Sequence, residues 1–294
     1  MTAAVRILAH AKANLFLRVL ARETSGYHTL ETLFTLLELA DELTTEATEG
    51  GVELVVEGAD TGPKDDNLVT RGARLMLEAT GNRFGVRIKL VKRIPVRAGL
   101  GGGSSDGAAA LYAVNALARN AVPRHEILQL AAKLGSDVAF FASGAPLALA
   151  WGRGDRLYRL PPPPSTPALL AIPALGVSTA DAYALLDAAR QREPARGAVV
   201  LDATAFDAWG NIGRLGGNDF ESVLFGKEPG LRDLYQRMAA TRPLLVRLSG
   251  SGSAIVALYK SEAERDAAAV TVGEREQRLI RTATRAAPAP GPVT

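Results

Sequence analysis

Four of the five residues from Gly99 to Gly103 are glycine, and this run constrains the fold more than any other segment. It stands between residues 85–91, where apolar and charged positions alternate, and the alanine-rich residues 105–121. This context predicts a strand, a glycine loop and a helix. Such a loop lets a ligand approach the backbone amides, and the following helix N-terminus adds unpaired N–H groups suited to phosphate. A plain tight turn, with Ser104 as a helix cap, is the alternative.

Two familiar phosphate-binding motifs do not fit this loop. No Gly-Lys-Ser or Gly-Lys-Thr follows the glycines, so it is not a Walker loop. A dinucleotide-binding fingerprint is also a poor fit, because the run begins only at Gly99 and no clear ribose-binding acid follows it.

Composition removes several classes of function. The 294 residues include no cysteine, which excludes disulfides, thiolate nucleophiles and cysteine-bound clusters. Three scattered histidines, His10, His28 and His125, do not suggest a zinc site. The 34 Lys and Arg residues barely exceed the 31 Asp and Glu residues and form no long run, so we expect no nucleic-acid partner. No apolar stretch approaches the ~20 residues of a membrane span, and no targeting segment is visible, so we expect a cytoplasmic protein without membrane association.

Proline and glycine positions divide the chain. The run Pro161–Pro164 favours a stiff extended connection and predicts a boundary near residue 160. We therefore expect an N-terminal domain over 1–160 with the glycine loop, and a C-terminal α+β domain over 161–285. Residues 286–294, rich in Ala and Pro, are predicted to be a disordered tail.

Two polar groups stand out in apolar surroundings. Lys12, flanked by Ala11 and Ala13, lies in a predicted turn between two short apolar runs; a snorkelling surface lysine is the alternative. Asp137 follows Ser136, a good helix cap, and falls in the first turn of a short apolar helix, where a carboxylate can simply favour the helix dipole. The functional interpretation makes Asp137 a general base beside the charge of Lys12.

A second glycine segment, residues 249–253 with the sequence Ser-Gly-Ser-Gly-Ser, lies between two predicted strands of the C-terminal half. It is either a flexible hairpin turn or a loop that packs beside the first glycine loop and closes the phosphate site.

The lysine segment, the central glycine loop and the C-terminal glycine loop together resemble the GHMP small-molecule kinases, named for galacto-, homoserine, mevalonate and phosphomevalonate kinases. The resemblance extends from Lys12 to about Leu258. It is carried by residues 11–17, 26–30, 98–106 and 134–138, with weaker support from 177–183, 218–221 and 249–252. Gly26-Tyr27-His28 and the triple glycine are most similar to members that act on a cytidine diphosphate substrate.

This resemblance implies an α+β, two-domain GHMP kinase fold with the active site in the cleft between the domains. It implies ATP and Mg²⁺ as cofactors, and phosphorylation of the 2-hydroxyl of a cytidine-diphosphate-linked methylerythritol on the non-mevalonate route to isoprenoid precursors. Asp137 would take the proton from the substrate hydroxyl, and Lys12 would steady Asp137 and the transferred phosphoryl group. We expect a monomer or a weak homodimer.

Further residue roles are implied by the same resemblance. The nucleotide contacts are expected at Asn67, Leu68, Lys92, Pro95, Gly99, Leu100, Gly101, Gly102, Gly103, Ser104 and Ser105. The substrate contacts are expected at Asn14, Tyr27, His28, Asp137, Thr179 and Tyr183. Ser105 is also the candidate magnesium ligand.

Two other functions stay open at this point: a GHMP kinase for mevalonate, homoserine or a sugar, and a nucleotide-binding regulator without catalysis. The chain also departs from the family pattern at four positions, none of which removes a proposed catalytic group. These are Ser25 in place of an aspartate, Arg97 in place of a small or apolar residue, Gly107 in place of an alanine and Ala139 in place of a proline.

Overall fold

The computed structural model describes residues 4–174, 176–190, 202–275 and 277–289. In these ranges the chain forms two sheets, each packed against helices, in the α+β arrangement that the sequence predicts. Among the described residues, no helix is long and apolar enough to cross a membrane.

A long central strand organises the first sheet. The six strands are β1 (Val5–Arg22), β2 (His28–Thr48), β3 (Val52–Glu57), β4 (Gly85–Val91), β5 (Leu147–Gly152) and β6 (Arg156–Arg159). One edge of β2 pairs with β1, and its other edge pairs with β5 through residues 30–35 and with β4 through residues 42–48. Strand β3 runs parallel to β4, whereas the other pairs are antiparallel.

Four helices cover this sheet: α1 (Leu68–Ala79), α2 (Gly102–Leu117), α3 (Arg124–Leu134) and α4 (Ser136–Ser143). Helices α1 and α2 approach closely because both have glycine at the contact: a Cβ on Gly72 would lie 2.8 Å from the Gly107 carbonyl oxygen. A Cβ on Gly107 would lie 3.0 Å from the Leu68 Cβ. This close contact gives a structural reason for one departure from the family pattern.

The structure corrects the predicted turn at Ala11–Asn14. Residues 5–22 form one continuous strand, and the pairing register with β2 shifts between His10 and Lys12 and again between Asn14 and Phe16. These bulges change which face the side chains occupy without ending the strand. Sequence patterns also missed β2, because residues 32–37 are all buried and therefore show no apolar–polar alternation.

The second sheet has four antiparallel strands in the order β10–β7–β9–β8. They are β7 (Pro167–Pro173), β8 (Leu245–Leu248), β9 (Ile255–Leu258) and β10 (Gln277–Ala283). A 3₁₀ turn spans Ala203–Phe206, and the helices are α5 (Thr179–Arg190), α6 (Trp209–Ile212), α7 (Asp219–Lys227), α8 (Pro229–Ala240) and α9 (Glu262–Val272). The two strands predicted on either side of residues 249–253 occur, as β8 and β9.

The two sheets share a buried apolar cluster, to which Phe16 and Leu100 contribute from the first half and Leu170 and Val256 from the second. Burial of such a surface stabilises the mutual position of the two halves. The predicted tail is partly described: Ala289 donates a backbone hydrogen bond of 3.2 Å to the Gly144 carbonyl, so residues 286–289 lie against the first half. Residues 290–294 of the tail lie outside the described residues.

Candidate active site

The two glycine loops pack directly on each other. Gly99 has φ +77°, and a Cβ there would lie 2.1 Å from the Ser249 carbonyl oxygen, so only glycine fits. The Ser249 hydroxyl donates a 2.8 Å hydrogen bond to the Gly99 carbonyl, and the Ala254 amide donates one of 3.0 Å to the Ala98 carbonyl. The segment 249–253 is therefore a loop packed beside the first one. This is one of the two alternatives that its sequence left open.

The buried side chain of Asn218 holds the second glycine loop in place. Its side-chain amide donates to the carbonyls of Leu248 and Gly250, at 2.8 and 2.6 Å, while its Oδ1 accepts from the Phe220 amide and caps α7. A single buried side chain thus ties α7 to the start of the second glycine loop. Sequence reasoning used this residue only as part of a weak motif.

A cavity of about 380 Å³ opens beside the first glycine loop. Ten of the eleven residues expected to contact the nucleotide line it: Asn67, Leu68, Lys92, Pro95, Gly99, Leu100, Gly101, Gly102, Gly103 and Ser104. Asn67 also has a structural role, because its Oδ1 accepts from the Val69 amide at 2.9 Å and caps α1. The predicted nucleotide residues therefore surround one opening at the start of α2.

Ser105 is the exception. It is buried, and it lines a different cavity, described below, instead of the one beside the glycine loop. Its position one residue further along α2 turns its side chain away from the loop. This placement does not support the metal role that the resemblance implied for it.

Lys12 and Asp137 meet at the bulge of β1. The Lys12 Nζ lies 3.7 Å from the Asp137 Oδ2, donates to the Asn14 Oδ1 and sits 5.2 Å from the centre of the Phe34 ring. Burial lowers the pKa of Lys12, and the neighbouring Asp137 opposes that effect. Asp137 itself is 36% exposed, in the first turn of α4, so it can reach a bound molecule.

A second cavity, of about 200 Å³, opens over this pair. Its lining includes Lys12, Asn14, Asp137, Thr179 and Tyr183, which the resemblance named, and also Phe34, Phe220 and Gly250. Gly99 and Gly101 line both this cavity and the larger one. The two cavities therefore meet at the glycine loop, with Lys12 and Asp137 beside the junction.

An aromatic stack flanks the smaller cavity. The His28 ring stacks on the Tyr183 ring at 4.6 Å, and Tyr183 meets the Phe220 ring edge-on at 4.9 Å. The His28 Nε2 lies 2.7 Å from the Asp187 Oδ1, so α5 supplies both partners of this histidine. The sequence offered no sign of Asp187, because the contact joins residues 159 positions apart.

Tyr27 lies apart from this stack. Its side chain is 60% exposed, and the Arg153 guanidinium sits 4.3 Å from the centre of its ring. Ser25 stabilises the same turn, because its hydroxyl donates to Glu23 at 2.9 Å and accepts from Arg153 at 3.1 Å. Neither Tyr27 nor His28 is among the residues that line the smaller cavity.

A buried charge cluster lies behind the glycine loop, and the sequence did not reveal it. The Lys92 Nζ bonds to Asp41 and, at 2.7 Å, to the Asp106 Oδ2; all three side chains are almost fully buried. Burial raises the pKa of Asp106 to about 8, although Lys92 opposes this. Asp41 also accepts from the Ile94 amide at 2.8 Å, which fixes the approach of the chain to the loop.

The family profile described as "GHMP kinases N terminal domain" matches residues 67–145, and "GHMP kinases C terminal" matches residues 201–276. A 4-diphosphocytidyl-2-C-methyl-D-erythritol kinase of Pelotomaculum thermopropionicum is 38% identical over 278 residues, which cover 94% of this chain and 96% of the relative. The enzyme of the same name from Heliobacterium modesticaldum is 36% identical over 288 residues, covering 92% and 91% of the two chains.

Solved structures give the same result. The crystal structure of a 4-(cytidine 5'-diphospho)-2C-methyl-D-erythritol kinase superposes with a TM-score of 0.79 at 36% identity, covering 95% of this chain and 98% of that one. The homoserine kinase from Cytophaga hutchinsonii superposes with a TM-score of 0.71 at 20% identity, over 100% and 98% of the chains. The second match shows a shared fold alone.

With two packed glycine loops, a buried lysine and an aspartate at one junction, and both family profiles matched, the chain belongs to the GHMP kinases, which use ATP as phosphate donor. Within that family, it belongs with the 4-diphosphocytidyl-2-C-methyl-D-erythritol kinases. The family resemblance read from the sequence is confirmed.

Proposed function

We propose that this chain transfers the γ-phosphoryl group of ATP to the 2-hydroxyl of 4-diphosphocytidyl-2-C-methyl-D-erythritol. The observation that carries the proposal is the junction of the two cavities at Gly99 and Gly101, with the Lys12–Asp137 pair beside it. A donor in the larger cavity and an acceptor alcohol in the smaller one would face each other across this junction. The names of the relatives supply the acceptor.

The residues at the junction match what phosphoryl transfer requires. The acceptor oxygen attacks the γ-phosphorus, the bond from that phosphorus to the β,γ-bridging oxygen breaks, and the hydroxyl proton passes to the Asp137 carboxylate. The Lys12 ammonium, 3.7 Å from Asp137, meets the charge on the transferred oxygens. Most of the remaining task is positioning, which the rigid glycine loops serve.

Asn14, Thr179 and Tyr183 would orient the acceptor. Asn14 is fixed from behind, because its Nδ2 donates to the Thr32 hydroxyl at 2.8 Å. Thr179 links α5 to the second glycine loop through a 2.8 Å contact between its hydroxyl and that of Ser251. Tyr27 and His28 would bind the cytosine base, His28 through its ring edge and Tyr27 by stacking; both remain predictions.

Magnesium enters this proposal as part of MgATP. Among the described residues, no group of three or more His, Cys, Asp or Glu side chains could hold a metal ion. No step above depends on a magnesium ion held by the protein alone. The ion would keep phosphate oxygens and waters as its ligands.

An ADP-release assay with MgATP tests the proposal. The cytidine diphosphate methylerythritol is compared with mevalonate, homoserine and galactose, using the wild-type chain and Asp137→Asn. Turnover confined to the cytidine substrate and lost in the variant supports the proposal from acceptor to base. Turnover with another acceptor would keep the donor site and discard the roles of Tyr27, His28 and Tyr183. ATP binding without any turnover would instead indicate a regulator.

The proposal also includes the type of substrate, the cellular location and the oligomeric state. A small cytidine diphosphate substrate, a cytoplasmic location and a monomer or weak homodimer are the expectations that accompany the activity. Size-exclusion chromatography with light scattering over a concentration series would test the oligomeric state.

A further inference from the structure

We call the larger cavity beside Gly99–Gly103 the donor cavity, and the smaller one over Lys12 and Asp137 the acceptor cavity. A third cavity, of about 260 Å³, lies in the N-terminal half, and it shares no lining residue with either of them. It is larger than the acceptor cavity of about 200 Å³. Residues of β1, β2, α2 and α4, together with Pro288 and Ala289 near the C-terminus, line it. These walls are mostly apolar, with Ile7, Leu36, Ala108, Ala109, Phe141 and Ala142 among them. The proposed kinase reaction leaves this cavity without a function.

Two arginines line the same cavity. The Nη2 atoms of Arg124 and Arg159 both donate to the Ser143 carbonyl oxygen, at 2.6 and 2.9 Å, so the two guanidinium groups are neighbours. Each guanidinium has five N–H donors, and this contact uses one of them. No Asp or Glu is among the described residues that line the cavity; Asp155 lines a neighbouring depression that shares both arginines. The arginines therefore bring two uncompensated positive charges to one side of the cavity.

The inner wall carries a buried polar atom without a partner. His10 is 3% exposed; its Nδ1 pairs with the Leu37 carbonyl oxygen at 3.0 Å, and its Nε2 has no hydrogen-bond partner among the described residues. Ser105 lines the same wall and adds a hydroxyl group to it. Buried polar groups left unpaired are costly, so such a wall is suited to a molecule that supplies polar atoms.

We propose that this cavity is a second ligand site, which binds a phosphate monoester of a short apolar alcohol. The phosphate would lie against Arg124 and Arg159, and the apolar chain would enter between Leu36 and Phe141. Two adjacent guanidinium groups favour a dianion over a carboxylate, because each can form paired hydrogen bonds to phosphate oxygens. A five-carbon branched chain is small enough for the volume of about 260 Å³.

Calorimetric titration of the full chain with 3-methylbutyl phosphate tests this site. A saturating non-hydrolysable ATP analogue is present throughout, so that the donor cavity cannot take up the probe. Three control ligands are titrated separately. Inorganic phosphate lacks the alkyl chain, 3-methylbutanol lacks the charge, and 4-methylpentanoate carries one negative charge in place of the dianion. We expect one saturable site that prefers the ester at least tenfold over each of them.

Variants locate the binding. Replacing both arginines, as Arg124→Gln with Arg159→Gln, should weaken the ester at least tenfold, whereas Arg156→Gln on the same strand should not. Arg156 is a matched control, because it is exposed on β6 and does not line the cavity. Ala109→Leu fills the cavity and should also abolish binding; its cooperative thermal unfolding is checked, and the arginine variants carry the test if it does not fold.

Several results would overturn the proposal. Equal affinity for inorganic phosphate would reduce the site to surface anion binding, and equal affinity for the carboxylate would remove the preference for a phosphate ester. Binding unaffected by the double arginine variant would lie elsewhere on the chain. The absence of saturable binding would mean that the cavity holds solvent only.

Discussion

The Lys12 Nζ lies 3.7 Å from the Asp137 Oδ2, although β1 and α4 bring these residues together from opposite ends of the N-terminal half. Lys12 is almost fully buried, whereas Asp137 is 36% exposed. This asymmetry separates their roles: the buried cation is a fixed charge, and the accessible carboxylate can exchange a proton with a bound alcohol.

Asp137→Asn should lower kcat by about 10²–10⁴-fold, because the amide cannot accept the proton of the acceptor hydroxyl. ATP binding should be retained, since Asp137 does not line the donor cavity. ADP release measures the first effect, and calorimetric titration with an ATP analogue measures the second. Asp233→Asn is the control, because Asp233 is 65% exposed on α8. A variant that turns over at the wild-type rate would remove Asp137 from the role of base.

The activity should fall as the pH rises. The midpoint of this fall should lie below the pH at which an ordinary lysine loses its proton. Burial lowers the pKa of Lys12 from 10.5, and the proposed reaction uses its protonated form, so raising the pH should remove the required charge. A profile of kcat/KM between pH 6 and 10.5 should show this basic limb. Lys12→Arg should remove the limb from whatever activity it retains, because arginine stays protonated over the whole range. A limb that persists in Lys12→Arg would assign it to another group.

His28→Ala should raise the KM for the cytidine substrate about tenfold, corresponding to a loss of about 1–2 kcal/mol for a hydrogen bond in a partly charged contact. The KM for ATP should not change, because His28 does not line the donor cavity. Steady-state kinetics with each substrate varied in turn gives both values. His125→Ala is the matched control, since that ring is 81% exposed. A fall in kcat with both KM values unchanged would contradict a role in binding the base.

The stability of the protein should decrease from pH 5 to pH 8 because of Asp106. Burial raises its pKa to about 8, so the folded state holds a proton that the unfolded chain has released, and raising the pH favours unfolding. Urea unfolding at several pH values measures the slope of the free energy of unfolding against pH. It should be shallower in Asp106→Asn, and unchanged in Asp65→Asn, whose side chain is 81% exposed. Equal slopes in the wild type and Asp106→Asn would show that Asp106 titrates normally.

Gly99→Ala should destabilise the protein, whereas Gly103→Ala should not. A Cβ at Gly99 would lie 2.1 Å from the Ser249 carbonyl in a left-handed conformation, but a Cβ at Gly103 meets nothing within 4 Å. Thermal unfolding measures the difference. Because alanine favours a helix more than glycine does, Gly103→Ala in α2 should increase the free energy of unfolding by up to about 1 kcal/mol. Gly103→Ala should still weaken ATP binding if phosphates approach the backbone there. Equal stability of the two variants would mean that the glycine loops do not need their close contact.

Local sequence patterns predicted much of this fold. The alternation in residues 85–91 predicted strand β4, and the alanine-rich residues 105–121 predicted the helix α2. These signals act over a few residues, so they survive without knowledge of the rest of the chain. The long strand β2 was not predicted, because its residues 32–37 are buried on both faces and show no apolar–polar alternation.

Residue types and their local order already indicated the kinds of chemistry present: a glycine loop at Gly99–Gly103 suited to phosphate, a lysine in an apolar segment and a carboxylate at a helix start. Only the tertiary structure decided which groups meet. The Asp41–Lys92–Asp106 cluster and the Asp187 contact with His28 both join residues far apart in the chain. The physical reason is that burial and charge pairing depend on distance in space, which short patterns do not encode.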